Sequence, residues 1–293
     1  KIQDGCQHRC AFCIVPYARG GSRSQEPKVV VDQVFRLAEG GYGEIVLTGV
    51  DMGHYGWDLF PRTNLAALIR QILDVPGLSR LRLSSILPPY FTDELIELIT
   101  GSPRICPHLH IPLQSGSDRV LRLMRRPYNT RIYRSLVERL SRAIPDLGLG
   151  ADVIVGFPGE TETDFEETRA LIEALPLSYL HVFSYSDRKG TEAARLGGHL
   201  PARTVTLRSK ALRQLDRAKN LAFRQRLVGR TLEVLVLEER DKSSGRLTAL
   251  TGNYVEVLFE GPDEWMGRFI NVALTDAAPH RTLGEVVRPP SEL

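Results

Sequence analysis

The 293 residues are 42% hydrophobic and 25% charged, a composition that gives a globular chain enough apolar material for one large domain and a small one. Neither a disordered chain nor a collagen-like repeat fits it, and no apolar run approaches the roughly 20 residues of a membrane-spanning helix. Formal net charge is only +3, but it is unevenly spread: residues 1–225 hold 30 Lys and Arg against 24 Asp and Glu, whereas residues 226–288 hold 8 against 10.

The chain opens on Lys1-Ile2-Gln3 with no initiator methionine, as a fragment of a longer protein would, and a short first strand is expected ahead of Cys6. Three of the four cysteines, Cys6, Cys10 and Cys13, fall within eight residues. So few cysteines in a chain of this length make no disulfide scaffold, and the expected setting is a reducing cytoplasm. Three thiolates at C-x3-C-x2-C spacing on one loop suit a cubane iron–sulfur cluster, because three irons take cysteine and the fourth is left open. Zinc is the competing reading. It wants four closed ligands, so His8 or Cys106 would have to join the three. Phe12 and the run Ile14-Val15-Pro16-Tyr17 set an apolar wall beside the triplet, of the kind that shields and tunes a cluster.

Farther along, β-rich apolar runs at 44–48, 81–85, 108–113, 152–156 and 180–185 alternate with helical spacing, as in Leu65, Leu68, Ile69, Ile72 and Leu73, or Leu95, Ile96, Leu98 and Ile99. Thr163 followed by Glu166 reads as a capping box that opens a helix through Leu175. With the strand before Cys6 this makes six strands in βαβα order. The fold class is α/β, a parallel sheet covered by helices, with chemistry at the C-terminal strand ends. A basic helix is expected over 201–226, after which short strands at 231–236, 247–250, 254–259 and 269–274 make a small all-β unit. The expected domains are 1–225 and 226–293. Arginine-rich runs at 119–142 and 203–226 read either as phosphate contacts or as solvated helix faces.

Several strand ends carry polar side chains. Gly49 and Asp51 follow the second strand, where a glycine lets backbone approach a ligand or simply makes a turn. Ser84 and Ser85 end the third, and read either as ribose-binding hydroxyls or as a turn or helix cap. Gln114 and Ser115 offer an amide and a hydroxyl to a polar ligand. Asp152 lies in a strand otherwise made of Val and Ile, where an unpaired carboxylate is costly, and Gly156 begins the turn into the next helix. Cys106 reads as a small buried or loop thiol. There is no G-x4-G-K-S/T loop and no H-E-x-x-H pair, so nucleotide hydrolysis and zinc proteolysis are unsupported.

On these residues the chain resembles the radical S-adenosylmethionine (SAM) methylthiotransferases. The likeness is carried by residues 1–20 with the cysteine triplet, by 47–56, by 110–117 with Met124-Arg125-Arg126-Pro127-Tyr128, by 152–161 and by 183–191. It implies a partial (β/α)6 TIM-like radical SAM barrel followed by a small all-β TRAM-like domain. It implies Cys6, Cys10 and Cys13 as ligands of a 4Fe-4S cluster whose open iron binds SAM. The implied SAM-binding residues are Phe12, Gly49, Asp51, Ser84, Ser85, Gln114, Ser115, Asp152 and Gly156; the implied substrate contacts are Tyr17, Arg19, Arg125, Arg126, Tyr185 and Arg188.

Within that family, residues 47–56 are most similar to the subgroup acting on threonylcarbamoyladenosine. The resemblance implies that a methylthio group is added to C2 of that base at position 37 of tRNA, after one-electron cleavage of SAM to a 5′-deoxyadenosyl radical. The implied partners are a tRNA anticodon stem-loop and an external electron donor of flavodoxin type, with no membrane. It also implies a preceding domain with three further cysteines and a second 4Fe-4S cluster, so this segment alone is expected to cleave SAM without methylthiolating. The alternatives are the related subgroups acting on isopentenyladenosine in tRNA or on a ribosomal protein. The latter would accord with the acidic balance of the terminal unit, which departs from the basic footprint of an RNA binder. A non-catalytic zinc or RNA-binding module is the alternative of another class.

Overall fold

The computed structural model describes residues 1–288; the last five residues of the expected 226–293 unit lie outside them. In chain order the first part comprises β1 (Gln3–Asp4), α1 (Val15–Arg19), β2 (Arg23–Ser24), α2 (Pro27–Glu39), β3 (Glu44–Leu47), α3 (Leu65–Leu73), β4 (Arg80–Leu83), α4 (Asp93–Gly101), β5 (His108–His110), α5 (Asp118–Leu123), α6 (Thr130–Ala143), β6 (Gly148–Val155), α7 (Glu162–Ala174), β7 (Tyr179–Ser184) and α8 (Ala202–Gln225). The second comprises β8 (Thr231–Arg240), β9 (Leu247–Thr251), β10 (Glu256–Phe259), β11 (Phe269–Ala278) and β12 (Arg281–Arg288), closed into a barrel in the order β10-β12-β11-β8-β9. Among the described residues no helix is long and apolar enough to cross a membrane.

Six parallel strands follow one another as β1, β3, β4, β5, β6 and β7. β3 pairs with β4 from Glu44–Arg80 to Leu47–Leu83, β5 with β6 from His108–Gly148 to His110–Gly150, and β6 with β7 from Gly150–Tyr179 to Val155–Ser184. The other two joins are single bridges, Gln3 to Gly49 and Leu81 to Ile105. Side chains alternate across a strand. On β6, Leu149, Ala151, Val153 and Val155 are buried in the same core as Leu136, Val137, Leu140 and Ile172 of the covering helices. Asp152, with His110 of β5 and His181 of β7, therefore turns to the opposite face, the interior of the partial barrel.

Several sequence expectations shift: β4 ends at Leu83 rather than 85, and β8 and β11 run on to Arg240 and Ala278 rather than 236 and 274. β5 ends at His110 because the chain then runs through Pro112 into Gln114 at φ +67. β6 starts at Gly148, earlier than 152: its glycines look like strand breakers, yet a Cβ at Gly150 would sit 2.1 Å from the Tyr179 ring, so glycine is what lets that ring lie across the strand. β10 starts at Glu256 rather than 254, since Tyr254 adopts φ +69. β12 was not anticipated. It carries Gly284 at its centre, where a Cβ would meet Val272 Cγ1 at 2.3 Å.

The helix cap also differs. Thr161, not Thr163, is the N-cap of α7, and it exchanges hydrogen bonds with Asp164 rather than using Glu166. Asp164 is 4% exposed and also accepts from Ser117 Oγ at 2.7 Å and from Arg119. These bonds hold its carboxyl well below the ordinary carboxylate range although burial alone would raise it. A depressed folded-state pKa contributes stability above the unfolded value, near 3.9, that is lost as pH falls through the folded one. Asp164→Asn should therefore cost about 2–3 kcal/mol at neutral pH, and urea midpoints should show the gap to wild type narrowing below about pH 4. Of the arginine-rich runs, Arg119, Arg139 and Arg208 pair with Asp164, Asp93 and Glu160, and Arg224 donates to the Ala278 and Arg281 carbonyls. These four act structurally.

The two cores meet over a buried charge cluster. Arg82 donates to Glu44 through Nε at 2.7 Å and to the Gly252 and Thr251 carbonyls at 2.8 and 3.1 Å, and its guanidinium lies 5.2 Å from the Tyr254 ring. Arg80 joins the same carboxylate, donates to Leu250 O at 2.9 Å and covers the Phe269 ring at 4.8 Å.

Candidate functional site

The cysteine loop runs from the end of β1 to α1 and is fixed by backbone geometry. Gly5 stands at φ +72, and a Cβ there would lie 2.0 Å from the Gly21 carbonyl oxygen, so the turn that delivers Cys6 requires glycine. Cys6 N–H donates to Gly20 O at 3.1 Å; Ala11 N–H donates to Met124 O at 3.0 Å, and Ala11 O accepts from Ala193 N–H at 2.7 Å. Buried Gln3 donates through Nε2 to the Gly5 carbonyl and the Ser22 hydroxyl, both at 2.8 Å, and its Oε1 accepts Asp51 N–H at 2.8 Å. One side chain thus locks the loop to the end of β3.

Each thiol has a distinct surrounding. Cys6 Sγ accepts His8 N–H at 3.4 Å and faces Asp51 Oδ2 at 3.7 Å. Cys10 Sγ accepts from Arg126 Nη1 at 3.2 Å; Arg126 Nε donates to the Tyr128 hydroxyl at 3.0 Å, while Nη2 is buried with no partner. Burial pushes the Cys6 thiol up to about 12 and raises Cys13 as well, so thiolates form here when metal binding displaces the protons. Among the described residues, two sets of ligand atoms lie within 4.8 Å of one another, His8–Asp51–His54 and His110–Asp152–His181, and neither contains the three sulfurs. One tetrahedral zinc would hold its sulfurs about 3.8 Å apart. The wider triad, with a partnerless guanidinium N–H beside it, fits a larger anionic cluster. Cys106 is out of reach as a fourth ligand: it is buried beside Glu44, 3.9 Å from Oε2, at the N-terminal side of β5.

Residues 50–57 fold over Cys6. Asp51 is buried, with Oδ2 3.4 Å from His8 Nε2 and 3.5 Å from His54 Nδ1. His8 Nε2 meets the Tyr90 hydroxyl at 2.6 Å, and the His54 ring lies between His8 and Trp57, with centroids 5.2 and 4.5 Å away. Gly53 makes this possible, since a Cβ there would strike the Tyr90 ring at 2.0 Å.

A cavity of about 260 Å³ is lined by Phe12, Gln114, Asp152, Phe183, Tyr185 and Arg188 among others. The Gln114 side-chain oxygen is buried without a partner. Asp152 Oδ1 lies 3.0 Å from His110 Nε2 and 3.3 Å from His181 Nδ1. Burial raises its carboxyl, but the hydrogen bond from His110 and the two imidazoles outweigh that and lower it overall. The Tyr179 hydroxyl bridges His110 Nδ1 at 3.2 Å and His108 Nε2 at 2.8 Å. Burial, with Arg82 and His110 nearby, drives His108 down to about 3, so it stays neutral.

A second cavity, about 370 Å³, lies outside the cysteines and is lined by Cys10, Cys13, Tyr17, Arg125 and Glu192 among others. Arg125 is paired with Glu192, whereas Arg19 turns away to Asp4 at 3.6 Å. Ser84 Oγ points at Met52 Sδ at 3.5 Å, Ser85 is exposed, and neither caps the short helical turn that follows. Ser115 faces α7, with its hydroxyl 3.2 Å from that of Thr168, not the cavity. Gly156, at φ +77, serves the turn: its N–H donates to Glu160 and a Cβ would meet Val205 at 2.6 Å. His54, Tyr90, His108, His110, Tyr179 and His181 were not anticipated as site residues. The signal for the inner row was present as the i, i+2 spacing of His108 and His110 and of Tyr179, His181 and Phe183.

With this geometry in place, comparison with known proteins adds the following. The family model described as Radical SAM superfamily matches residues 1–172 and that of the TRAM domain residues 225–287. The chain is 40% identical over 274 residues to a protein named threonylcarbamoyladenosine tRNA methylthiotransferase MtaB from Aquifex aeolicus, covering 94% of this chain and 64% of that one. It is 39% identical over 286 residues to a tRNA-2-methylthio-N(6)-dimethylallyladenosine synthase from Moorella thermoacetica, covering 98% and 64%. This chain thus spans somewhat less than two thirds of the relatives it matches. Among solved structures, coproporphyrinogen III oxidase (HemN) from Escherichia coli aligns over 85% of this chain and 63% of its own at TM-score 0.51 and 16% identity, a likeness of fold.

Proposed function

This chain belongs to the radical SAM superfamily, and from that membership we propose that the protein is a methylthiotransferase that replaces the C2 hydrogen of threonylcarbamoyladenosine 37 in tRNA with a methylthio group. The family's cofactors are a 4Fe-4S cluster and SAM. The observation that carries the reading is the triad Cys6, Cys10 and Cys13 on a loop locked to the strand ends, with Phe12 lining the adjoining cavity. When bound, the cluster supplies the electron that cleaves SAM. The chain's own residues would hold and shield that centre. Cys6, Cys10 and Cys13 would hold three irons; Arg126 would steady Cys10; Asp51 and the partnerless Gln114 oxygen would offer acceptors to SAM; Phe12 would wall the cavity. The TRAM domain and the names of the relatives support a tRNA anticodon stem-loop as substrate, an unpaired base being the form in which RNA is commonly read. A flavodoxin-type donor in the cytoplasm and a second cluster in a further domain complete the proposal.

The test uses the complete gene product, anaerobically reconstituted, with SAM, dithionite and a stem-loop carrying threonylcarbamoyladenosine. Nucleoside mass spectrometry should show a product in which one hydrogen is replaced by SCH3. SAM cleavage without that product on any tRNA would contradict the assignment.

A further inference from the structure

The inner face of the barrel carries a continuous polar row, His108–Tyr179–His110–Asp152–His181, that holds none of the cysteines. Its far end is closed, because Tyr254 of the terminal barrel stacks on His108 with centroids 4.4 Å apart and planes 21° apart. Its near end is open. The His181 side chain is 55% exposed, and with Nδ1 directed at Asp152 it turns Nε2 away from the carboxylate. The row is built: Tyr179 reaches both His108 and His110 only because Gly150 has no side chain. Asp152 and Phe183, the residues beside His181, line the cavity shared with Phe12 and Arg188.

With Nδ1 facing the Asp152 carboxylate at 3.3 Å, a proton on Nδ1 leaves His181 Nε2 an acceptor when the ring is neutral and a donor when it is protonated. A prenyl arm satisfies neither state. An amino-acid arm on N6 of adenosine offers a urea, a hydroxyl and a carboxylate, and satisfies both. We infer that His181, oriented by Asp152, forms a subsite that reads a hydrogen-bonding arm on the target adenosine, with Arg188 pairing the arm's carboxylate. The inference rests on the tRNA substrate proposed above and names the residue that selects the modification. Overall similarity does not make that choice, since relatives named for the two modifications are 40% and 39% identical to this chain. A site built to hydrogen-bond a substrate discriminates strongly against an analogue that lacks the groups.

The experiment is a fluorescence-anisotropy titration of the complete, reconstituted protein with stem-loops carrying adenosine, isopentenyladenosine or threonylcarbamoyladenosine. Wild type should bind the threonylcarbamoyl RNA at least about tenfold more tightly than the isopentenyl RNA. His181→Phe should bring the two within about twofold by weakening only the former, and His181→Gln should recover part of the preference. Retention of the preference in His181→Phe, or equal weakening of both RNAs, would overturn the subsite. A wild type without preference would overturn it while leaving the tRNA reading intact; failure to bind any stem-loop would overturn the tRNA reading and the subsite with it.

Discussion

Arg82→Ala is expected to destabilise this chain by about 3–5 kcal/mol. The side chain is 4% exposed and reaches four partners at once: the Glu44 carboxylate, the Thr251 and Gly252 carbonyls and the Tyr254 ring. Removing it leaves the Gly252 carbonyl and one side of a buried carboxylate unpaired, while the Thr251 carbonyl keeps only the Tyr254 N–H, and those desolvated groups set the cost. Net charge explains why the cluster tolerates two arginines to one glutamate: the surplus cation is spread over carbonyl oxygens and two aromatic faces. Arg82→Lys, which keeps the charge but cannot fork between Glu44 and the carbonyls, should lose a substantial part of the same stability. Urea denaturation followed by tryptophan fluorescence checks both, and a loss below about 1 kcal/mol for Arg82→Ala would show that the cluster behaves as a surface ion pair. Tyr254 sits between Arg82 and His108, so the same change should loosen the closed end of the inner row.

Cys10→Ala is expected to abolish cluster assembly. It removes one of three thiolates and also the acceptor of Arg126 Nη1, leaving both terminal nitrogens of a guanidinium without partners next to the triad. Iron and sulfide after anaerobic reconstitution should fall to background. Cys106→Ala, on the far side of the barrel beside Glu44, should load iron like wild type. Equal loss in both variants would place the cluster elsewhere.

What could be read from the sequence was what is local in the chain. The cysteine loop lies within eight residues, so its three thiols are brought together by the chain itself, and the family resemblance supplies the cluster reading over zinc. The alternation of apolar strands and amphipathic helices gave a parallel sheet covered by helices, because each unit buries its own face, and the family resemblance implied its closure into a partial barrel. The cap of α7 was displaced by two residues because 161–166 contains two overlapping boxes, and only the earlier one lets Asp164 also receive Ser117 and Arg119. β12 was hidden by Gly284, whose reason is a neighbour on another strand. The inner polar row was hidden for the same kind of reason: His110, Asp152 and His181 come from three strands and meet only through the register of β5, β6 and β7. Glu44 at a strand start looks like a solvent residue, and becomes the centre of a buried cluster only once the terminal barrel packs on β4.

The central claim is that the cysteine loop and the cavity beside it form a radical SAM centre. The most direct measurement is 5′-deoxyadenosine, quantified after anaerobic reconstitution of this chain and addition of dithionite and SAM. Deoxyadenosine that depends on reductant and disappears in Cys10→Ala is the predicted result. A fully loaded iron–sulfur protein that forms none, or a preparation that takes up zinc in place of iron and sulfide, would contradict the account.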